Sequence, residues 1–118
     1  MNRPPIIPSV WTASQRDVAV LSAWPVVHVA GGRLRTLAEF VQPLRASGKR
    51  LWVHPDRIQG LARDEEAIHY LSEVVAPEVF VTSSLNTAQI IRSAGLCLCL
   101  RMFLYDTQSL ESGLRAVE

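Results

Sequence analysis

Cysteine, lysine and long apolar runs are all scarce in this sequence of 118 residues. Its two cysteines, Cys97 and Cys99, stand two apart, where side chains on one strand are poorly placed to bond each other, so a disulfide framework is excluded. The longest apolar run, residues 96–100, is far shorter than the roughly 20 residues of a membrane-spanning helix. The first residues contain no apolar stretch of signal-peptide length. We therefore expect a cytoplasmic protein without a membrane partner.

An excess of charge of one sign is also missing. One lysine and eleven arginines stand against eleven acidic residues, which leaves a formal net charge of +1. This balance creates no strong long-range field, so charge alone predicts no nucleic-acid partner. The sequence also lacks a P-loop, a nucleophile elbow, zinc-ligand spacing and a glycine-rich dinucleotide motif. We expect no catalytic set, no metal and no cofactor.

What is present is the composition of one globular domain, with 48% apolar and 19% charged residues. No linker or low-complexity tract divides the chain, so residues 1–118 are taken as a single domain. Short apolar runs alternate with helical patterns, which favours βαβ units and a parallel sheet. The expected strands are residues 6–7, 26–30, 51–54, 79–82 and 96–101. Periodicity leaves two α/β architectures open: a partial (β/α) barrel of about five units, or a small doubly wound sheet.

Spacing and caps place the helices between these strands. An apolar stripe from Leu34 to Leu44 predicts one helix, which Pro43 should kink or end early because its ring clashes with the preceding turn. Asp64 is expected to cap a second helix and Asn86 a third. Gly48 and Gly95 stand where left-handed caps would end helices. A last helix is expected from about Thr107.

In either architecture ligands bind at the carboxyl ends of the strands, so the residues that follow each apolar run are the informative ones. His54 and Asp56 follow the third run and could form a metal or general-base pair, with His28 as a further ligand. A histidine hydrogen-bonded at the rim is the favoured interpretation. Thr82, Ser83 and Ser84 could hold a phosphate at a helix start, but helix capping is favoured.

Basic residues allow two further interpretations. Arg101 ends a very apolar strand and must pair with Asp106 or Asp56, or bind an anionic ligand. The basic residues from Arg33 to Arg50, with Trp52 beside them, could contact RNA phosphates and a stacked base. A solvated helix face with Trp52 in the core is the favoured alternative.

Several segments in order resemble one protein family. These are GKRLWVHPDRIQGL at 48–61, VFVTSS at 79–84, NTAQIIRSAGL at 86–96 and RMFLYDTQSLESGL at 101–114. In this combination they resemble the glycerol-3-phosphate-responsive antiterminators, and the resemblance covers nearly the whole chain. It implies a TIM-barrel-like fold and a cytosolic regulator that is not an enzyme. It also implies two partners: glycerol 3-phosphate as effector, and the leader messenger RNA of glycerol-metabolism genes.

The same resemblance implies a set of ligand-binding residues at one end of the barrel: Asp56, Gln59, Gly60, Thr82, Ser84, Arg101 and Asp106. The RNA-binding residues are not indicated. A full barrel needs roughly 250 residues, so we expect a truncated barrel of about five of eight units. Its exposed strand edges favour self-association into a homo-oligomer.

Two other functions stay open. A remnant or interaction module that has lost its ligand response would bind no glycerol 3-phosphate. A small enzyme with His54 and Asp56 as acid and base is the least favoured, because no second carboxylate or metal set supports it.

Overall fold

The computed structural model of the chain describes residues 6–102, 111, 114 and 115. Residues 6–102 contain seven strands and four α-helices. The strands are β1 Ser9–Val10, β2 Val26–Val29, β3 Gly32–Arg33, β4 Arg50–Val53, β5 Ile58–Gln59, β6 Val79–Thr82 and β7 Leu98–Leu100. The helices are α1 Ala13–Leu21, α2 Leu37–Ala46, α3 Glu65–Val74 and α4 Leu85–Ser93, with short 3-10 turns at Leu34–Thr36 and Pro55–Arg57.

Five strands form one parallel sheet in the order β1-β2-β4-β6-β7. Each strand therefore lies beside its predecessor in this sheet, whereas a doubly wound sheet would reverse direction partway. β3 and β5 pair separately as a two-stranded parallel ribbon above the carboxyl edge. The order is that of a partial (β/α) barrel, and the doubly wound alternative is wrong.

The core lies between the sheet and one layer of helices. Val27, Val29, Leu51, Val53 and Phe80 point from the strands to this side and are buried. The same cluster contains residues from all four helices: Ala19, Leu37, Val41, Leu44, Ile68, Leu71 and Ile91. The helices therefore cover a single face of the sheet, as they do in a barrel. The opposite, concave face carries the alternate strand residues, which include His28 and Trp52.

Several expected elements are confirmed at their positions. Strand Val79–Thr82 has the expected bounds, and Asp64 caps α3 by accepting a hydrogen bond from the Ala67 amide at 2.9 Å. Gly48 and Gly95 have φ of +81° and +74°, the left-handed caps that glycine allows. These caps could be predicted from the sequence because each depends on one residue type and its immediate neighbours.

Two expectations about elements are wrong, the early end of a helix at Pro43 is not observed, and one helix is added. The first strand is Ser9–Val10, not residues 6–7, because β1 pairs with β2 only after Pro8. Helix α2 continues through Pro43 to Ala46 instead of ending early. The cap of α4 is Ser84, whose hydroxyl accepts from the Thr87 amide at 3.2 Å, so Asn86 lies inside the helix. Helix α1 was not predicted from the sequence. The start of the helix expected from Thr107 lies outside the described residues, whereas Glu111, Leu114 and Arg115 are described and helical.

Candidate functional site at the carboxyl edge of the sheet

Asp56 lies at the centre of a hydrogen-bonded cluster on the carboxyl edge. The turn Pro55–Arg57 after β4 brings its carboxylate to the end of β6, where the Thr82 hydroxyl donates to Oδ2 at 2.6 Å. The Ser83 amide donates to the same oxygen at 3.3 Å, and His54 Nε2 lies 3.4 Å from it. The structure therefore brings together Asp56 and Thr82, which the sequence had placed on one rim.

Thr82 also orders the start of α4. Its hydroxyl oxygen accepts from the Ser84 amide at 3.1 Å, while Ser84 in turn caps the helix. Thr82 is fully buried and Ser84 is half-buried. Capping, the favoured interpretation of this segment, is confirmed, and the cap joins the β6 end directly to the Asp56 cluster.

Two histidines extend the cluster across the rim. The His28 and His54 rings lie 5.7 Å apart between centroids, and the Ser9 hydroxyl lies 2.9 Å from His28 Nδ1. Burial, together with the nearby His54, Arg101 and Arg57, lowers the pKa of His28 to about 4. Burial also lowers the pKa of His54, although Asp56 opposes this shift. Both imidazoles are therefore neutral at neutral pH.

Three atoms in this cluster are buried and have no hydrogen-bond partner among the residues that the structure describes: His28 Nε2, His54 Nδ1 and Asp56 Oδ1. Orphaned buried polar atoms carry a desolvation cost, so their presence in one place indicates a site for polar ligand groups or water. The described part of the chain contains no group of three or more His, Cys, Asp or Glu side chains that could hold a metal.

A cavity of about 590 Å³ opens beside the cluster. Its lining combines polar groups and positive charge with backbone that approaches closely: Ser9, Trp11, His28, Ala30, Gly31, Gly32, Arg57 and Arg101. A Cβ atom on Gly31 would lie 3.3 Å from Trp11 Cβ, which is a tight contact. A larger residue at this position would therefore require Trp11 to shift. A smaller cavity of about 310 Å³ on the concave face shares Ser9, His28 and Arg101 with it.

The other expected ligand-binding residues are distributed differently. Gln59 and Gly60 lie on the β5 side and line a separate groove of about 740 Å³ with Arg33, Leu34, Arg35 and Tyr70. Arg101 stands at the rim, close enough to lower the pKa of both histidines. Asp106, and with it the expected Arg101–Asp106 pair, lies outside the described residues.

Two expectations about basic residues and tryptophan need correction. Lys49 is buried, and its ammonium group donates to the carbonyls of Ser22 and Trp24 at 2.7 Å each. Arg45 binds the Glu78 carboxylate and the carbonyl of Val75. These cations hold loops together and do not form a solvated helix face.

Trp52 is the second correction. It is half-buried on the concave face, level with His28 in the sheet, and not in the core. Sequence alternation could have revealed this, because Trp52 lies between the core residues Leu51 and Val53.

Sequence reasoning gave no ligand-binding role to Ser9 or Arg57 and considered His28 only as a metal ligand, although all three line the cavity of about 590 Å³. His28 lies within the second apolar run, and its alternation with Val27 and Val29 places it on the concave face. The signal was therefore present as a polar residue inside an apolar strand. Ser9 carried no such signal, because the first strand was assigned to residues before it.

Comparison with known proteins gives concordant matches. A family model described as "Glycerol-3-phosphate responsive antiterminator" matches residues 6–118. The "Uncharacterized protein YgcP" of Escherichia coli (strain K12) is 22% identical over 109 residues, which cover 92% of this chain and 57% of that protein.

Two crystal structures have the same fold. The glycerol uptake operon antiterminator regulatory protein from Listeria monocytogenes str. 4b F2365 matches with a TM-score of 0.88 and 19% identity, over 98% of this chain and 63% of that one. A glycerol uptake operon antiterminator-related protein from Thermotoga maritima MSB8 matches with a TM-score of 0.83 and 22% identity, over 94% of this chain and 62% of that one. The chain thus spans about three fifths of the length of these relatives.

Proposed function

Because the chain belongs to the glycerol-3-phosphate-responsive antiterminator family, we propose that it regulates transcription by binding leader messenger RNA of glycerol-metabolism genes under the control of glycerol 3-phosphate. It acts as a regulator and not as an enzyme. The effector binds at the carboxyl edge of the sheet, in the cavity beside the Asp56 cluster. This edge is where barrel proteins place their ligands.

The observation that carries this proposal is the combination of charges in and beside the cavity. Arg57 and Arg101 belong to its lining and supply positive charge, which suits a phosphate group. The Asp56 carboxylate would repel phosphate, but it can accept a hydrogen bond from a hydroxyl group. A small molecule with an anionic group and hydroxyl groups matches this combination of arginines and a carboxylate.

The neutral histidines support the same orientation of the ligand. A neutral imidazole has one N–H and one lone pair, so His28 and His54 can donate to or accept from hydroxyl groups without attracting the phosphate. The unpartnered atoms belong to neighbouring side chains, because His54 Nε2 lies 3.4 Å from Asp56 Oδ2 and the His28 ring lies 5.7 Å from the His54 ring. We therefore assign these three residues to the glycerol hydroxyls, and Arg57 and Arg101 to the phosphate.

Thermal unfolding in the presence of candidate ligands tests the effector. A ligand that binds only the folded chain at about 100 times its Kd adds about 2.7 kcal/mol, which raises the Tm by on the order of 10 °C. Glycerol 3-phosphate should produce this shift, while glycerol or inorganic phosphate at the same concentration should produce much less. Absence of a shift would reject the effector and favour an interaction module without ligand response.

Substitution of the arginine tests the orientation. Arg57→Gln should weaken glycerol 3-phosphate binding at least tenfold, because phosphate contacts with arginine are charge-assisted and account for about 1.5–3 kcal/mol each. Arg92→Gln is the matched control, since Arg92 is an equally exposed arginine at the end of α4, away from the cavity. Equal affinities of the two variants would contradict the proposed phosphate position.

A further inference from the structure

A second basic surface lies beside the effector cavity, and we propose that it is the contact surface for single-stranded RNA. We call it the ribbon groove; its lining residues are Arg33, Leu34, Arg35, Gln59, Gly60 and Tyr70. This inference rests on the proposed function, which supplies RNA as the partner. It adds the place of contact, which the family resemblance did not indicate.

Positive charge in the ribbon groove is not neutralised from within the protein. Arg33 and Arg35 are both exposed, and neither side chain has an ion pair or hydrogen bond to any residue that the structure describes. By contrast, Arg45 and Lys49, from the same stretch of sequence, are engaged in internal contacts. No aspartate or glutamate belongs to the described lining of the groove. Two uncompensated guanidinium groups in one concave surface suit a polyanion.

An aromatic ring and an amide complete the chemistry that favours nucleotides over a simple anion. The Tyr70 side chain of α3 is 46% exposed and lines the groove, so the face of its ring can stack on a base. Gln59 is exposed directly opposite Arg33 in the β3–β5 ribbon, and its amide can donate to and accept from base edges. Stacking and base-edge contacts require unpaired bases, so the groove fits single-stranded rather than duplex RNA.

The ribbon itself connects the groove to the effector cavity. β3 is two residues long, and while Arg33 faces the groove, the preceding Gly32 lines the cavity. On the paired side Gln59 lines the groove, and Arg57, just before β5, lines the cavity. A ligand that contacts Arg57 or Gly32 therefore acts on the same short ribbon that carries the RNA-binding side chains.

The test measures binding of a fluorescein-labelled single-stranded oligoribonucleotide of mixed sequence, about 16 nucleotides long, with saturating glycerol 3-phosphate present. The double variant Arg33→Gln/Arg35→Gln should bind at least tenfold more weakly than the wild type. The slope of log K against log salt should also fall by about 1.4, because each lost phosphate contact on a single strand removes about 0.7. Arg92→Gln should leave both quantities unchanged.

Tyr70→Ala provides an independent variant without a change of charge. It should weaken binding by about 5- to 150-fold through loss of stacking, with the salt slope unchanged, and Tyr70→Phe should restore most of the affinity. Duplex RNA of the same length should compete poorly.

The outcomes separate this inference from the proposed function. If the wild type binds the RNA and the groove variants bind it as tightly as Arg92→Gln does, the ribbon groove is not the RNA-contact surface. The proposed regulatory function is retained in that case. If the wild type binds no RNA, both the groove and the RNA part of the function are rejected, whereas the glycerol 3-phosphate shift in Tm still tests the effector. Each groove variant should retain that Tm shift, which shows that it is folded.

Discussion

At the scale of single residues, the side chain of Thr82 organises the carboxyl edge of the sheet. The Thr82 hydroxyl, fully buried, donates to Asp56 at 2.6 Å and at the same time accepts from the Ser84 amide. One side chain therefore fixes both the carboxylate of the effector cavity and the first turn of α4. Loss of a buried hydrogen bond to a charged group has a larger energetic effect than loss of a neutral one.

Thr82→Val should therefore lower the free energy of unfolding by about 1–3 kcal/mol, because it leaves the buried carboxylate with fewer donors. Thr87→Val is the matched control: Thr87 is equally buried, but its hydroxyl has no partner among the described residues. Its replacement should be nearly neutral or slightly stabilising. Urea denaturation of both variants measures the difference, and equal losses would contradict the role of Thr82.

The histidine pair predicts a pH dependence of stability. The unfolded chain protonates His28 near its ordinary pKa of 6.5, whereas the folded chain keeps it neutral down to about pH 4. Between these values the unfolded state binds more protons, so stability is fully present above about pH 6.5 and falls as the pH drops toward 4. Because His28 is only partly buried, solvent screening reduces this loss to about 1–2 kcal/mol.

His28→Asn should flatten this decline without abolishing it, because the lowered pKa of His54 acts in the same direction. His69→Asn is the control, since His69 is half-exposed on α3. Urea denaturation across the window of about pH 6.5 to 4 compares the three proteins. The same slope for His28→Asn as for the wild type would overturn the assignment of His28 as a buried neutral group.

At the scale of elements, the local sequence was sufficient where one residue type determines the geometry. Asp64, Gly48 and the strand Val79–Thr82 were predicted correctly on this basis. The first strand was not, because Ile6 and Ile7 are more apolar than Ser9 and Val10, and the pairing partner on β2 decides between them. Pairing register is a tertiary property that propensity does not contain.

Helix α1 was missed for a different reason. Its apolar residues give a weak stripe, and only Ala19 is buried. The available signal was a capping box, in which Thr12 accepts from the Gln15 amide and the Gln15 side chain accepts from the Thr12 amide.

The cap predicts a specific contribution to stability. Thr12→Ala should cost about 1 kcal/mol, because it removes one side of the capping box. Thr36→Ala should have almost no effect, because Thr36 precedes α2 without a side-chain cap hydrogen bond. Thermal denaturation of the two variants provides the comparison. A similar Tm for both would show that the α1 cap contributes little.

In the candidate site, too, local sequence predicted some residues correctly, whereas others depend on tertiary pairing. Asp56, Thr82 and Ser84 were expected to share a rim, and the structure joins them through the Thr82 hydroxyl, which donates to Asp56 and accepts from the Ser84 amide. The separation of Gln59 and Gly60 into another groove could not be foreseen, because it depends on the β3–β5 pairing of four residues. Strands of two residues carry almost no periodic signal.

At the scale of the whole molecule, the described part is an open sheet with helices on one side. Within residues 6–102 the outer edges of β1 and β7 pair with no further strand. The concave face exposes a cavity lined in part by Trp52 and Cys99. In none of the helices of the described part is there an apolar stretch of membrane-crossing length.

Self-association through the concave face stays a prediction. Sedimentation velocity of the purified chain should show a concentration-dependent increase in mass, because open strand edges and apolar surface favour pairing with a second copy. Trp52→Glu should weaken this association. Val18→Glu, an exposed apolar position on α1 outside that face, is the matched control. A monomer at all concentrations would reject the prediction.

The sequential strand order also has a consequence during synthesis. Every strand of the main sheet docks onto the one made just before it, so each new βα unit finds its partner surface already in place as it leaves the ribosome. Contacts between neighbouring units close shorter loops than contacts between distant segments, so they cost less chain entropy. The polypeptide can therefore acquire its order progressively from the amino-terminal side, without waiting for distant segments to be translated.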